Sequence, residues 1–122
     1  MRPGRRSLKQ ITDRDLARLA EVARQDRADF FSKPRPSAPV LRDVLCVALC
    51  QGAALHYLDG RNGIKDFDVW TFYRRHGRKQ FPPRRIVSRD LGHTKFGRSP
   101  DRPDFDGRRV DLIGRSLDTR VG

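Results

Sequence analysis

Apolar residues behind Thr12 recur at helical spacing, and this pattern predicts the first element of the chain. Four of them share one helix face: Leu16, Leu19, Ala20 and Ala23. Thr12 and Asp15 have the spacing of a capping box, which marks where a helix begins. A helix is therefore expected over residues 13–29, and the prolines that follow predict an extended linker.

Shorter apolar runs with strand character follow this linker. Residues 44–50 form a continuous apolar run, which favours a strand buried on both faces. Gly52 ends the run, and residues 53–58 predict a short helix. Three further strands are expected over residues 65–73, 85–88 and 109–113. From Arg115 onward, a frayed tail is expected. The order of these elements predicts a small α/β (α+β) fold with a mixed β-sheet and flanking helices.

The length of 122 residues favours one domain, expected over residues 11–117 between flexible tails at 1–10 and 118–122. The longest apolar run is too short to span a bilayer, and the basic N-terminus lacks the apolar region of a secretory signal. A cytoplasmic protein with no membrane partner is therefore expected.

Basic residues are concentrated in one part of the chain. The net charge is +12, and residues 74–109 hold 12 basic and 4 acidic residues, hence +8 of that total. Arginine-rich segments suit phosphate oxygens, because a guanidinium group binds them through two hydrogen bonds. Two interpretations stay open for this segment, a solvated surface and a nucleic-acid-binding surface.

Cysteine and histidine spacing argues against a zinc site. Cys46 and Cys50 would lie about 13 Å apart along a strand, too far for a disulfide, so buried free thiols are favoured. His56, His76 and His93 show no ligand spacing with the cysteines. His56 is interpreted as a structural rather than a catalytic residue.

Asp66 and Asp68 are the most informative pair in the sequence. Strand side chains alternate, so both carboxylates are expected on one face, about 7 Å apart, with Phe67 and Val69 on the other. Like charges this close repel unless a cation lies between them. A divalent-metal site is therefore favoured over the alternative, a solvated face of an edge strand.

Three features now follow one another along the chain: an apolar run ending in Gly52-Ala53, the Asp66-Phe67-Asp68 motif, and the run Val110-Asp111-Leu112. Over residues 44–113 this order resembles the nucleotidyltransferase superfamily, which includes DNA polymerase β, poly(A) polymerases and the small bacterial minimal nucleotidyltransferases. The resemblance implies Mg²⁺-dependent transfer of a nucleotidyl group from a nucleoside triphosphate to an acceptor hydroxyl.

The resemblance also assigns roles to residues. Asp66, Asp68 and Asp111 would be the catalytic metal ligands of a site for one or two Mg²⁺ ions. Gly52 and Ala53 would line the nucleotide through backbone N–H groups. Lys65, Lys95 and Arg109 are the candidate phosphate partners.

Two features depart from the family pattern. Ala53 stands where glycine or serine is usual, and no second domain follows to bind an acceptor, which can be nucleic acid or protein. Small family members act with a partner protein or as homo-oligomers. The alternatives are a non-catalytic member that binds a nucleotide or a partner protein, and a basic nucleic-acid-binding module.

Three aromatic residues of the predicted 65–73 strand and one basic stretch each allow a packing or surface role and a nucleotide-binding role. Trp70, Phe72 and Tyr73 are interpreted as packing residues rather than as a base-stacking platform. The glycine-rich, basic stretch 90–98 is either a loop that closes over a nucleotide or a surface loop.

Overall fold

The described part of the chain forms two helices and a four-stranded sheet. The computed structural model describes residues 6–82 and 85–119. The elements in chain order are α1 (Asp13–Phe30), β1 (Val44–Cys50), α2 (Gln51–Asp59), β2 (Phe67–Arg74), β3 (Ile86–Asp90) and β4 (Arg109–Leu117). The predicted mixed α/β architecture is confirmed. Within these residues, no helix has the length and apolar character needed to cross a membrane.

The sheet has the strand order β1-β2-β4-β3. β1 is antiparallel to β2 and β3 is antiparallel to β4, whereas the central pair, β2 and β4, is parallel. In this register Asp68 lies beside Asp111 on one side and beside Cys50 on the other. Two strands that the chain places far apart therefore bring two of the candidate carboxylates together.

The two faces of the sheet have different environments. One face packs against the helices through a core whose members include Leu19, Val22, Ala23, Ala53, Phe67, Val69, Val110 and Leu112. The alternate residues of β2 and β4 point to the other side and stay only partly buried or exposed. We call that side the open face: Asp68, Trp70 and Phe72 on β2, and Asp111, Ile113 and Arg115 on β4. The predicted alternation around Asp68 is confirmed, and the same alternation holds around Asp111.

Helix α1 begins where the sequence predicts it. Thr12 and Asp15 form the reciprocal hydrogen bonds of a capping box. Farther along the helix, the buried Asp26 carboxylate accepts two hydrogen bonds from Arg85, at 3.0 and 3.3 Å, and one from Arg89, at 3.2 Å. These contacts tie α1 to β3 and to the residue before it.

Strand β1 differs from its prediction, because it is an edge strand of the sheet and is not buried on both faces. Leu45 keeps 40% and Val47 keeps 37% of its surface exposed. Cys46 is exposed as well, so the expectation of two buried thiols is wrong for this residue. An apolar run is compatible with any position in a sheet, and only the neighbouring strands decide how deeply it is buried.

The other strands differ from their predictions at their ends. β4 continues to Leu117, because it stays paired with β2 as far as the Arg74–Leu117 partners, so the segment from Arg115 is not frayed. β2 begins at Phe67 rather than at residue 65, and β3 runs over Ile86–Asp90 rather than 85–88.

The segment before α1 is held against the turn that follows α2. Ser7 and Ile64 exchange two backbone hydrogen bonds, at 2.9 and 2.8 Å. The buried ring of His56 accepts from the Gly63 N–H at Nδ1 and therefore donates from Nε2 to the Lys9 carbonyl, each at 2.9 Å. The structural interpretation of His56 is confirmed. Residues 6–10 are thus not free, whereas the tail positions 1–5 and 120–122 lie outside the described residues.

Replacing His56 with phenylalanine leaves the Gly63 N–H and the Lys9 carbonyl without their partners. We expect the free energy of unfolding to fall by about 1–3 kcal/mol, because the Gly63 N–H is buried and such a group costs about that much when it is left unsatisfied. Urea denaturation followed by circular dichroism measures the change. The control His93→Phe alters an exposed side chain and should change stability by less than about 0.5 kcal/mol. Equal losses in the two variants would contradict the role given to His56.

Candidate metal centre

Three carboxylates meet at one end of the open face. One oxygen each from Asp66, Asp68 and Asp111 lies within 4.8 Å of the others, and all three residues are partly buried. Asp68 and Asp111 are neighbours across the parallel β2–β4 pair, and Asp66 lies just before β2 begins. This arrangement can hold a metal ion, because carboxylate oxygens are the ligands that divalent cations such as Mg²⁺ and Ca²⁺ prefer.

The guanidinium group of Arg109 lies among these carboxylates. It binds Asp66 at 2.5 Å and Asp101 at 3.1 Å. Its Nε lies 3.3 Å from an oxygen of Asp111 without the geometry of a hydrogen bond, so that contact is purely electrostatic. The sequence favoured a bound metal as the cation that offsets the repulsion. In the structure, the guanidinium group of Arg109 supplies compensating positive charge from the same strand as Asp111.

Asp68 carries the strongest electrostatic perturbation of the site. Burial and, after it, the negative charges of Asp66 and Asp111 raise its pKa from the ordinary 3.8 to about 6, against a partial offset by Arg109. Among the described residues, Asp68 forms no ion pair of its own. A cation bound here would therefore gain most from Asp68, whose charge the protein itself compensates least.

A polar cavity of about 210 Å³ adjoins the carboxylates. The residues that line it come from the N-terminal segment, the β1–α2 junction and the turn before β2: Arg6, Gln51, Gly52, Ala53, Gly63, Lys65, Asp66 and Asp68. The structure thus brings the predicted Gly52, Ala53 and Lys65 together with two of the carboxylates. The N-cap residue of α2, Cys50, forms no capping hydrogen bond through its side chain, so the N–H groups of the first turn stay available to a ligand.

The backbone at this junction is unusual. Gln51 has a φ of 61°, and it is the only residue other than glycine with a positive φ in the described part of the chain. Such a conformation costs of order 1–3 kcal/mol and persists only where the surroundings enforce it. Here it turns the chain sharply from the end of β1 into α2, directly beneath the cavity.

Two of the predicted phosphate partners occupy other positions. Lys95 binds Asp15, with 2.8 Å between Nζ and Oδ2, near the start of α1. It does not line the cavity. Arg109 lies at the carboxylates rather than on the cavity wall. Neither position was predictable from a basic residue type alone, because basic side chains pair with whichever acid the fold places nearby.

Four residues at or near the site were missed in the sequence. Ser88 donates a hydrogen bond to Asp111 at 2.7 Å, and Asp101 pairs with both Arg109 and Lys65. Arg6 lines the cavity, and the buried Arg108 donates to the carbonyls of Phe96 and Lys65, at 2.9 and 3.0 Å. Only Ser88 had a usable signal, its place in a predicted strand.

Comparison with known proteins adds no name to this geometry. No family model, no curated protein and no solved structure matches the chain. What the arrangement can do is therefore argued from its chemistry: three acidic ligands for a cation beside a cavity that carries two basic side chains.

Asp68→Asn should stabilise the metal-free protein at alkaline pH. The folded state holds the Asp68 proton more tightly than the unfolded state does, so ionised Asp68 destabilises the fold above about pH 6 and not below about pH 4. We expect a gain of about 1 kcal/mol at pH 8, reduced from roughly 3 kcal/mol because the carboxylate is partly exposed to solvent. Urea titrations in a chelator across this pH range measure it.

The control for this experiment is Asp13→Asn, which alters an exposed carboxylate in the first turn of α1. Its stability should show no gain that grows with pH between about 4 and 8. A gain from Asp68→Asn that is the same at both ends of the range would contradict the raised pKa.

Proposed function

We propose that the chain is a Mg²⁺-dependent nucleotidyltransferase, which joins the nucleoside monophosphate of an NTP to an acceptor hydroxyl and releases pyrophosphate. The observation that carries the proposal is the Asp66–Asp68–Asp111 cluster beside a polar cavity whose wall includes Arg6 and Lys65. The order of these residues in the sequence, which resembles the nucleotidyltransferase superfamily, supports it independently.

The three carboxylates would hold one or two Mg²⁺ ions, and bound Mg²⁺ would supply positive charge to the α-phosphate and to the attacking hydroxyl. Asp68 is ionised at neutral pH, because its pKa near 6 lies below 7. Ser88 engages one oxygen of Asp111 and thereby orients that carboxylate. Asp111 can then act as a ligand or accept the proton of the acceptor hydroxyl.

The cavity supports the nucleotide half of the proposal. Lys65 and Arg6 place two positive charges on its wall, and the first turn of α2 supplies N–H donors with the favourable end of the helix dipole. Gly52 leaves this approach open, since it carries no side chain. These groups suit the phosphates of an NTP whose α-phosphate lies toward the carboxylates.

A second candidate is a protein that binds a nucleotide without turnover. Ala53 favours it, because this residue is 2% exposed, packs in the core and offers no hydroxyl to a phosphate. Phosphate contacts at this position would be made by the backbone alone. Nucleotide binding that persists without transfer to nucleic acid, protein or small-molecule acceptors would select this candidate.

The proposed reaction is tested by label transfer from each α-³²P-labelled NTP with Mg²⁺ and pooled RNA, DNA and protein acceptors. Asp68→Asn should reduce transfer by more than about 100-fold, because it removes a ligand charge from the metal site. Asp13→Asn is the control and should transfer at the wild-type rate. Unchanged transfer in Asp68→Asn, or absence of Mg²⁺-dependent NTP binding in the wild type, contradicts the proposal.

Gly52→Ala should change stability and nucleotide binding in opposite directions. A methyl group at Gly52 meets neighbours only at 3.8 and 3.9 Å, so it fits, and alanine is the better helix former by up to about 1 kcal/mol. The same methyl group projects toward Arg6 beside the cavity and should weaken NTP binding by about threefold or more. Thermal unfolding and equilibrium NTP titration measure the two effects. Tighter NTP binding would place the phosphates elsewhere.

A further inference from the structure

Beyond Asp68, β2 presents side chains on the side of the open face that the proposed reaction does not use, and Arg74 at the strand end continues their alternation. The whole series along β2 is Asp68, Trp70, Phe72 and Arg74, with successive Cα atoms about 7 Å apart. The series begins at the carboxylates and leads away from them. It therefore leads from the candidate metal centre to the far end of β2.

Trp70 and Phe72 form a pair of nearly parallel rings on this face, with 5.9 Å between centroids and 19° between planes. Both remain partly exposed, whereas Tyr73, on the other face, is 1% exposed. The interpretation of all three as packing residues thus applies fully only to Tyr73. Aromatic side chains at alternate positions on the exposed face of a four-stranded sheet are a recurrent device for stacking the bases of single-stranded RNA.

A cluster of positive charge lies where β2 ends. The basic turn, residues 74–79, contains Arg74, Arg75, Arg78 and Lys79, and all four are exposed. Arg115 of β4 lies beside Phe72 in the sheet register and is exposed as well. The aromatic pair is therefore flanked by cations that suit phosphodiester oxygens.

We propose that the open face binds single-stranded nucleic acid, with bases stacked on Trp70 and Phe72 and phosphates at the basic turn and Arg115. A strand lying along β2 would present its end to Asp68 and Asp111 as the acceptor hydroxyl. This acceptor role rests on the proposed function, whereas the binding does not. An apolar protein partner fits less well, because it would leave the arginines and the carboxylates without counter-charges.

Binding is measured directly, because Trp70 is the only tryptophan in the chain. We expect 12-nucleotide single-stranded RNA or DNA to quench its fluorescence in low salt with a chelator and without NTP. A duplex of the same sequence should bind more weakly, because paired bases cannot stack on the rings. Affinity should fall as salt is raised, because the phosphate contacts release counterions.

Phe72→Leu should weaken single-strand binding by about tenfold, within the range of about 5- to 150-fold that one lost base–aromatic stack produces. The matched control is Tyr57→Leu, which removes a 46% exposed aromatic ring from α2 on the other side of the sheet. It should bind like the wild type. Arg74→Gln, an exposed change that leaves the sheet core intact, gives a second measure and should reduce the salt dependence.

Absence of quenching, equal affinity for duplex and single strand, or equal losses in Phe72→Leu and Tyr57→Leu would each overturn the inference. The proposed function fails separately. Asp68→Asn should retain single-strand binding while losing label transfer. If the wild type binds single strands but transfers no label, the binding inference stands and the proposed enzymatic function is contradicted. If it transfers label only to other acceptors and binds no single strand, the proposed function stands and the binding inference is contradicted.

Discussion

The parallel pairing of β2 with β4 places Asp68 beside Asp111, and much of the structure answers the electrostatic cost of that contact. Two carboxylates on adjacent strands repel, and Asp66 adds a third charge. Arg109, at the start of β4, supplies the compensating guanidinium group, and Asp101 shares it. Asp68 receives the least compensation, and burial together with the charges of Asp66 and Asp111 raises its pKa. Arg109 therefore stabilises the cluster without a metal ion, and Asp68 remains the carboxylate with the most charge left for a cation to offset.

A parallel pair also requires a long connection, and here that connection builds part of the site. The segment from β3 to β4 is anchored by Asp90, whose carboxylate accepts from the N–H groups of Gly92, Asp106 and Gly107. Gly107 lies so close to the Gly92 carbonyl that a side chain could not fit between them. Arg108 then fastens the same segment to the residue before Asp66. The segment between β3 and β4 is thus held in place by hydrogen bonds, and it positions Asp101 beside Arg109.

The sequence was sufficient for what depends on local pattern. Alternation placed Asp68 and Asp111 away from the apolar core, and a capping box located the start of α1. It was insufficient where long-range pairing decides the outcome. Val44–Cys50 is apolar enough for a central strand yet lies at the edge, and Lys95 pairs with Asp15 because the fold brings a distant helix close to it. The role of Arg109 was out of reach for the same reason, since its partners Asp66 and Asp101 lie outside β4 on segments that only the folded chain brings to it.

The exposed edge of β1 has a consequence for how copies of this chain behave at high concentration. Seven residues without a single charge end the sheet, and a bulge between Val44 and Cys46 is the main irregularity that interrupts their regular edge. Such an edge is a template for another strand, and native proteins often guard theirs with lysine or proline. In this chain no charged residue within β1 opposes such pairing, and the repulsion between molecules that each carry a net charge of +12 opposes it instead. Because salt shortens the reach of that repulsion to about 8 Å at physiological ionic strength, the colloidal behaviour of the chain depends on its ionic surroundings more than on its fold.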